Sequence, residues 1–349
     1  MTVFLSFIIP TYQGLHLLQD TLEKNLRQFS GVSGFECIIA DDASNDGTVD
    51  WLKTHFPHVK VVVAQKNRGF AATAAMGASR ASGEFLFFLN NDMQIVSLDV
   101  QKALNVLRED MVFALVPTLI RPAKNNAFES YTWGKFAGGW LSAESYVPKG
   151  VEGAIAGVRA HRPSCFSGVD GAIDPSDTMP ENRHPISREA RDGMPILWAC
   201  GGAMLVSRQK YEALGGFDAL YSPFYFEDLD LSYRAWKQGW ESRYLDFAVV
   251  HHQHQATIGE LFKKSKVEHI HRTHHYLFMW KNLDDVGFLM SHGVTVLIKL
   301  LTFQLKDIRA IGAAVLRLPA IGRYRCNRPR PRLKDREILG RIWTGESLP

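Results

Sequence analysis

The chain has 349 residues, of which 46% are hydrophobic and 22% charged. That is enough apolar material for one large core, or a core plus an appendage, and it excludes disordered and fibrous classes. The net charge of +4 says little about partners, but its distribution is uneven: twelve Lys and Arg face three acids between Lys299 and Arg341, a local basic excess.

In chain order, residues 3–9 form an apolar run ending in Pro10-Thr11-Tyr12. The segment lacks a basic n-region and a small-residue cleavage site, so it reads as a first strand rather than a signal peptide. Leu15, Leu18, Leu22 and Leu26 recur at helical spacing. Phe35 to Ala40 reads as a second strand, followed by Asp41-Asp42 and a loop of turn-forming residues. A helix over 48–55, a third strand over 59–63, an Ala-rich helix over 70–82 and a fourth strand over 84–89 follow, and the last runs into Asn90-Asn91-Asp92. Alternating helices and wholly apolar strands predict an α/β fold, a mostly parallel sheet with helices on both faces. Ligands bind beyond the carboxyl ends of such strands, where three polar clusters fall.

From about 120 to 195 Gly, Pro, Ser and Asn are frequent and no period persists, which reads as an irregular insertion on the acceptor side. Regular structure resumes with Ile196 to Val206, a helix near 209–214, the acidic stretch Glu227-Asp228-Leu229-Asp230 leading a helix, and a strand near Ser242 to His251. The final sixty residues read as helical with a Pro/Arg-rich tail. Cys37, Cys165, Cys200 and Cys326 form no CxxC pair, so neither a zinc ribbon nor a disulfide framework is indicated.

No GxGxxG follows the first strand and no P-loop is present, which argues against a glycine cradle for phosphates. A divalent cation on hard oxygen ligands is the alternative, and Asp92 stands at a strand end with that chemistry; helix capping is its plainer role. Asp42 could accept from a pyrimidine N3–H beside a stacking Tyr12, or simply make an Asx turn. Glu227, Asp228 and Asp230 lie among aromatics that could raise a carboxyl pKa towards that of a general base, though acids also favour a helix start for the dipole alone. The histidines at 251, 252 and 254 and at 269, 271, 274 and 275 suggest metal ligands; for the second group a half-buried packing role is the stronger expectation.

The motifs SFIIPTYQG, IIADDASNDGT, NRGFAATAAMGASRASGEFLFFLNND, CGGAMLVSRQKYEALGGFD and FYFEDLDLSYRAWKQGW followed by VVHH occur in one order. Together they resemble the inverting glycosyltransferase family 2, with its GT-A (Rossmann-like) fold, over about Ser6 to His252. The resemblance implies a catalytic domain over 1–256 and a helical, basic C-terminal region over 257–349. It implies that Pro10, Thr11 and Tyr12 line the base and ribose, that Asp42 reads the pyrimidine, and that Asn67, Gly69 and Phe70 help to close the nucleotide pocket. Asp92 matches the metal-binding aspartate of the DXD motif, with Asn91 where many members carry a second acid. Asp228 matches the catalytic base, with Glu227 beside it on the acceptor side. Gly201, Gly202 and Ala203 match the loop bordering donor sugar and acceptor. His252, or failing it His251, matches a histidine that ligates the cation. The implied reaction uses Mn²⁺ or Mg²⁺, a UDP- or dTDP-sugar donor, and a glycan or lipid-linked glycan acceptor. A nucleotidyltransferase is the enzyme alternative, and a non-catalytic assembly subunit on the same fold the alternative from another class.

Phe288 to Leu305 is strongly apolar but interrupted by His292 and Lys299, and basic residues then alternate with aliphatic ones. This predicts that 288–349 lies on an anionic membrane surface rather than spanning it; packing onto the catalytic domain or a second subunit is the competing expectation. With little aromatic interleaving, the basic stretch does not point to nucleic acid. The expected location is cytoplasmic, peripheral on the inner face of the cell membrane.

Overall fold

The computed structural model describes residues 4–122, 127–146, 193–253 and 262–344. The strands are β1 (Leu5–Thr11), β2 (Phe35–Asp41), β3 (Lys60–Val63), β4 (Phe85–Leu89), β5 (Met93–Ser97), β6 (Val112–Arg121), β7 (Ala127–Phe128), β8 (Tyr131–Ala137), β9 (Trp140–Tyr146), β10 (Pro195–Ile196), β11 (Ala203–Ser207) and β12 (Glu241–His252). The helices are α1 (Leu15–Arg27), α2 (Thr48–His55), α3 (Phe70–Ala78), α4 (Val100–Leu107), α5 (Arg208–Ala213), α6 (Glu227–Lys237), α7 (Lys264–Asn282), α8 (Val286–Leu301), α9 (Leu305–Val315), α10 (Leu318–Asn327) and α11 (Asp335–Thr344).

One sheet of ten strands runs β10-β12-β6-β11-β4-β1-β2-β3, with β5 on β12 and β7 on β6. β3, β2, β1 and β4 are mutually parallel. β11 is antiparallel to both β4 and β6, so β6 and its parallel partner β12 point the same way as β1. The mostly parallel α/β sheet is therefore as expected, with one reversed strand in its middle. Strands β1 and β4 are buried along their whole length, which is why their sequences read as apolar runs without alternation.

Two readings are corrected. The supposedly patternless stretch contains an antiparallel hairpin, β8–β9, which buries Tyr131 and Trp133 of one strand and Leu141 and Ala143 of the other. Its alternating polar residues and the Gly138-Gly139 turn were legible as a hairpin. Residues 147–192, Cys165 and His254 lie outside the described residues. The segment from 196 to 206, read as regular structure, holds only the end of β10 and most of β11, with residues 197–202 between them outside any strand or helix.

The C-terminal helices bury their inner faces against this body. Asp335 of α11 is fully buried; it accepts from Tyr233 Oη at 2.7 Å and from the amides of Asp284 and Asp285 at 2.7 Å each. Trp343 meets Trp133 edge-on at 5.3 Å. Among the described residues no helix is long and apolar enough to cross a membrane.

Candidate active site

Every parallel strand delivers its carboxyl end to one edge of the sheet, and β11, running the other way, delivers its amino end there. After β1 and β2 the loops are knitted together. The Gln13 amide donates to Ser44 Oγ at 2.8 Å, and Gln13 Nε2 to Asn45 Oδ1 at 2.7 Å. Asp46 accepts from the Leu15 amide at 2.9 Å and from Thr48 Oγ1 at 2.5 Å, so one carboxylate serves the starts of α1 and α2. Tyr12 is left half-buried on this loop.

Of the aspartate pair, Asp41 makes the Asx-type turn, accepting from the Ser44 amide at 2.8 Å. Asp42, buried, instead accepts from the amides of Arg68, at 2.9 Å, and Gly69, at 2.8 Å. It thereby ties the loop after β3 to the end of β2 and brings Asn67, Gly69 and Phe70 to the same edge. Gly69 has φ +85°, and a Cβ there would lie 2.5 Å from the Pro223 carbonyl oxygen. Only glycine fits this approach, and through it the loop after β3 touches the turn that leads into α6.

That turn is unusual. Tyr225 and Phe226 have φ of 72° and 77°, sterically costly values for bulky residues. The structure around them supplies compensation: His274 Nδ1 lies 3.1 Å from the Phe224 carbonyl and 3.0 Å from that of Tyr225, and the ring of Phe226 packs on His271 and His275 at 5.1 and 5.3 Å. His271, His274 and His275 of the second histidine group thus form a packing bracket, whereas His269 is exposed. Burial holds His271 and His274 at about 4, so both are neutral, and His275 Nε2 sits 2.9 Å from the Leu141 carbonyl.

The turn presents three acids at the start of α6, and the structure separates their roles. Asp230 is fully buried and accepts from Tyr221 Oη at 3.0 Å, Arg234 Nε at 2.7 Å, and Lys281 Nζ and Asn282 Nδ2 at 2.8 Å each. Burial opposes its charge, yet Arg234 and Lys281 hold it down to about 2. It is a structural anchor. Asp228 is half-buried and accepts from the Gly201 amide at 3.1 Å and the Leu229 amide at 2.8 Å. Burial raises its carboxyl above the usual range despite those amides. Glu227 is pushed well above it, first by burial and then by Asp228, and its Oε2 is buried without a hydrogen-bond partner among the described residues. Burial and the neighbouring Asp228 carboxylate thus both favour the neutral form of Glu227.

Gly201 explains how Asp228 stays close to the loop after β3. A Cβ at that position would lie 3.3 Å from both Asp228 Cβ and Phe70 Cε1, so the missing side chain lets Asp228 and Phe70 flank the same backbone. Gly202 is equally confined, by Asn90 and Met93, and its carbonyl accepts from the Asn90 amide at 2.8 Å. Ala203 opens β11 beside Leu89.

After β4, Asn91 Nδ2 donates to Thr11 Oγ1 at 2.8 Å, fixing the loop against Pro10 and Thr11 at the end of β1. Asp92 faces His252, with Oδ2 to Nε2 at 3.3 Å. His252 Nδ1 lies 3.0 Å from Glu129 Oε2, and Glu129 is ion-paired with Arg121. Burial disfavours the imidazolium, but Asp92 and Glu129 raise His252 to about 9. His251 precedes it on β12, so its side chain projects to the other face of the strand, and only His252 is brought to Asp92. Glu129 and Arg121 escaped the sequence reading: they lie at the border of the irregular stretch, and no local motif ties them to a histidine 123 residues away.

Residues 6–154 match the model for glycosyl transferase family 2. The protein is a glycosyltransferase with a GT-A fold. Over 271 residues it is 25% identical to an N-acetylglucosaminyl-diphospho-decaprenol L-rhamnosyltransferase of Mycobacterium tuberculosis, covering 74% of this chain and 78% of the relative. Its fold is like that of S. aureus TarS, solved with UDP-GlcNAc, at TM-score 0.52 and 13% identity over 92% of this chain and 84% of that one. It is also like that of GalNAc-T7, solved with UDP, GalNAc and Mn²⁺, at TM-score 0.51 and 14% identity. That match covers 84% of this chain but only 54% of the other.

In this transferase, a divalent cation would have to share its protein ligands with substrate. Among the described residues no three His, Cys, Asp or Glu side chains form a group able to hold a metal. The pair Asp92 and His252 supplies one carboxylate and one imidazole, a set compatible with Mn²⁺, with the further oxygens coming from a diphosphate and water. Glu129 at Nδ1 fixes the ring and leaves Nε2 to face the site, as outer partners of metal-binding histidines do.

Proposed function

We propose that the protein is an inverting glycosyltransferase moving a sugar from a UDP- or dTDP-sugar to a glycan or lipid-linked glycan acceptor, with Asp228 as general base. The observation that carries this reading is the placement of Asp228: a carboxyl raised by burial, held by the Gly201 amide, at the edge where the nucleotide-side loops converge. Asp228 takes the proton of the acceptor hydroxyl as that oxygen attacks the anomeric carbon, and burial, which favours the neutral form of Glu227, disfavours a second negative charge beside it. Pro10, Thr11, Tyr12 and the loop organised by Asp42 receive the nucleoside. Because both Asp42 oxygens already accept backbone amides, this carboxylate orders the pocket wall as well as offering its remaining lone pairs to a base.

Asp92 and His252 hold the cation, Mn²⁺ or Mg²⁺, which when bound stabilises negative charge on the departing diphosphate. Mn²⁺ in the GalNAc-T7 structure supports a cation in this fold. The decaprenol-linked acceptor in the name of the mycobacterial relative supports a lipid-linked acceptor here, and the proposed location that suits such an acceptor is cytoplasmic, on the inner face of the membrane. The test is release of nucleoside diphosphate from a panel of UDP-, dTDP- and GDP-sugars, with Mn²⁺ or EDTA. Slow metal-dependent release from one donor supports the reading. If no donor is cleaved and none binds in the presence of Mn²⁺, the reading fails.

A further inference from the structure

The C-terminal helices have a second face that the fold leaves bare. On α8, Val286, Met290, Val294, Leu297 and Leu301 recur every three or four residues and are each more than half exposed. This is the amphipathic period with its apolar stripe turned outward. The inward side of the same helix is tied down: His292 Nδ1 lies 2.8 Å from the Gly139 carbonyl, Trp280 Nε1 donates to His292 Nε2 at 3.1 Å, and Phe288 stacks on Phe136 at 3.9 Å. The bare stripe is therefore a fixed feature of the fold. Further exposed apolar side chains follow along the chain: Phe303 in the α8–α9 turn, at φ +50° and 77% exposed, then Leu305, and Leu316 at 82% beyond α9. Most of the exposed large hydrophobic residues of the described chain fall in this one segment, and such patches mark interaction surfaces.

Charge selects the occupant. From residue 286 to residue 334 there are ten Lys and Arg and one acid, Asp307. Asp307 is buried and ion-paired with Lys299 and Arg272, and Arg325 and Arg328 turn onto Asp284, which leaves Lys306, Arg309, Arg323, Arg330, Arg332 and Lys334 as exposed cations with no exposed acid among them. Exposed Lys306 approaches Glu268 at 3.4 Å, which sets the basic first turn of α7, with exposed Lys263, Lys264 and Lys266, beside α9. A second copy docked through this face about a two-fold axis would oppose the same cations to themselves. The sixteen residues of α8 fall short of the roughly 20 needed to cross a bilayer. Exposed apolar side chains with basic neighbours are what a helix lying in an anionic interface presents.

We propose that the outer face of α8–α10, with the Phe303 turn as its tip, inserts shallowly into an anionic lipid bilayer while Lys306, Arg309 and the first turn of α7 meet the headgroups. The inference rests on the peripheral placement proposed above and adds the surface that achieves it. Because α8 is bonded to the β8–β9 hairpin, and Trp140 of that hairpin packs on His275 of the bracket beneath Phe226 at 4.7 Å, the bilayer would be held at a fixed distance from the turn bearing Asp228.

The experiment is flotation of the full-length chain with vesicles of phosphatidylcholine alone or mixed with phosphatidylglycerol, at low and high salt. The parent is compared with Leu301→Ser/Phe303→Ser/Leu316→Ser and with Lys306→Gln/Arg309→Gln. The parent should float only with the mixed vesicles. The apolar triple variant should bind at least about ten-fold more weakly, and the charge variant about five-fold more weakly per charge removed. Donor hydrolysis in solution should stay at the parent level in both, showing that they fold. Absence of parent binding to mixed vesicles at low salt, or equal binding by the triple variant, overturns the proposal. So does light scattering that shows a dimer of the parent dissolved by the triple variant, which would assign the face to a second copy. Failure of donor hydrolysis in all three proteins would instead count against the transferase reading and leave the flotation result standing.

Discussion

Replacing Asp230 by Asn removes a carboxylate that is ion-paired with both Arg234 and Lys281 inside the protein, two cations with almost no exposure. The hold of those cations on Asp230 can be sized from its carboxyl, which lies at about 2 instead of 3.8. At roughly 1.4 kcal/mol per pKa unit this is about 2–3 kcal/mol, and stripping one partner from a buried ion pair costs about 3–5 kcal/mol. Part of the loss is offset, since Lys281 keeps Asp218 at 2.7 Å and Arg234 keeps the Gly216 carbonyl at 2.8 Å. A destabilisation of about 3 kcal/mol is expected, seen as a fall in Tm of roughly 3–8 °C. The carboxyl is depressed in the folded state, so its contribution is fully present above the unfolded pKa of about 4 and fades as pH falls through about 2. Melting curves of parent and variant should therefore stay separated by a constant amount across neutral pH and converge only in strong acid. A variant that melts like the parent but has lost turnover would refute this assignment and move Asp230 into the reaction.

Three further outcomes follow from the same geometry. Burial raises the Asp228 carboxyl, and a base works only when ionised, so kcat/KM should rise with pH along an acidic limb above the ordinary carboxylate range; a limb near pH 4 would contradict it. Glu129→Gln should weaken Mn²⁺-dependent UDP binding about 10–100-fold by calorimetry, with circular dichroism unchanged, because Glu129 orients His252; unaltered affinity would leave Glu129 without a role in the site. Gly69→Ala should cost about 1–3 kcal/mol, since its φ of +85° and the Pro223 carbonyl at 2.5 Å exclude a methyl group; an unchanged denaturation midpoint would show that the loop relaxes.

The first half of the sheet was legible because its inner strands β1 and β4 are buried along their length and single helices join β1 to β2, β2 to β3 and β3 to β4. The run FLFFL and the helix it follows fall where the sequence places them, within a few residues. The reversed β11 was not legible, since strand direction is set by where chain segments meet and not by local pattern. The acidic stretch at 227–230 was legible as a cluster, but composition could not separate Asp230 from Asp228. What divides them is the arrival of Lys281 and Asn282 from α7, some fifty residues on. The same holds for Glu129, whose partner His252 comes from the far end of β12. Asp42 shows the converse: the sequence offered an Asx turn or a base-reading carboxylate, and the structure gives the turn to Asp41 and the closure of the 67–70 loop to Asp42.

The central claim is that Asp228 is the base of a sugar transfer, and the most direct measurement is a paired comparison of Asp228→Asn with the parent. Turnover of the cleaved donor is followed alongside calorimetric binding of the nucleoside diphosphate with Mn²⁺. The account predicts turnover lower by about 10²–10⁴-fold with binding unchanged, because the carboxylate acts on the acceptor proton and not on the nucleotide. Turnover retained within a few-fold, or binding lost together with turnover, would contradict it.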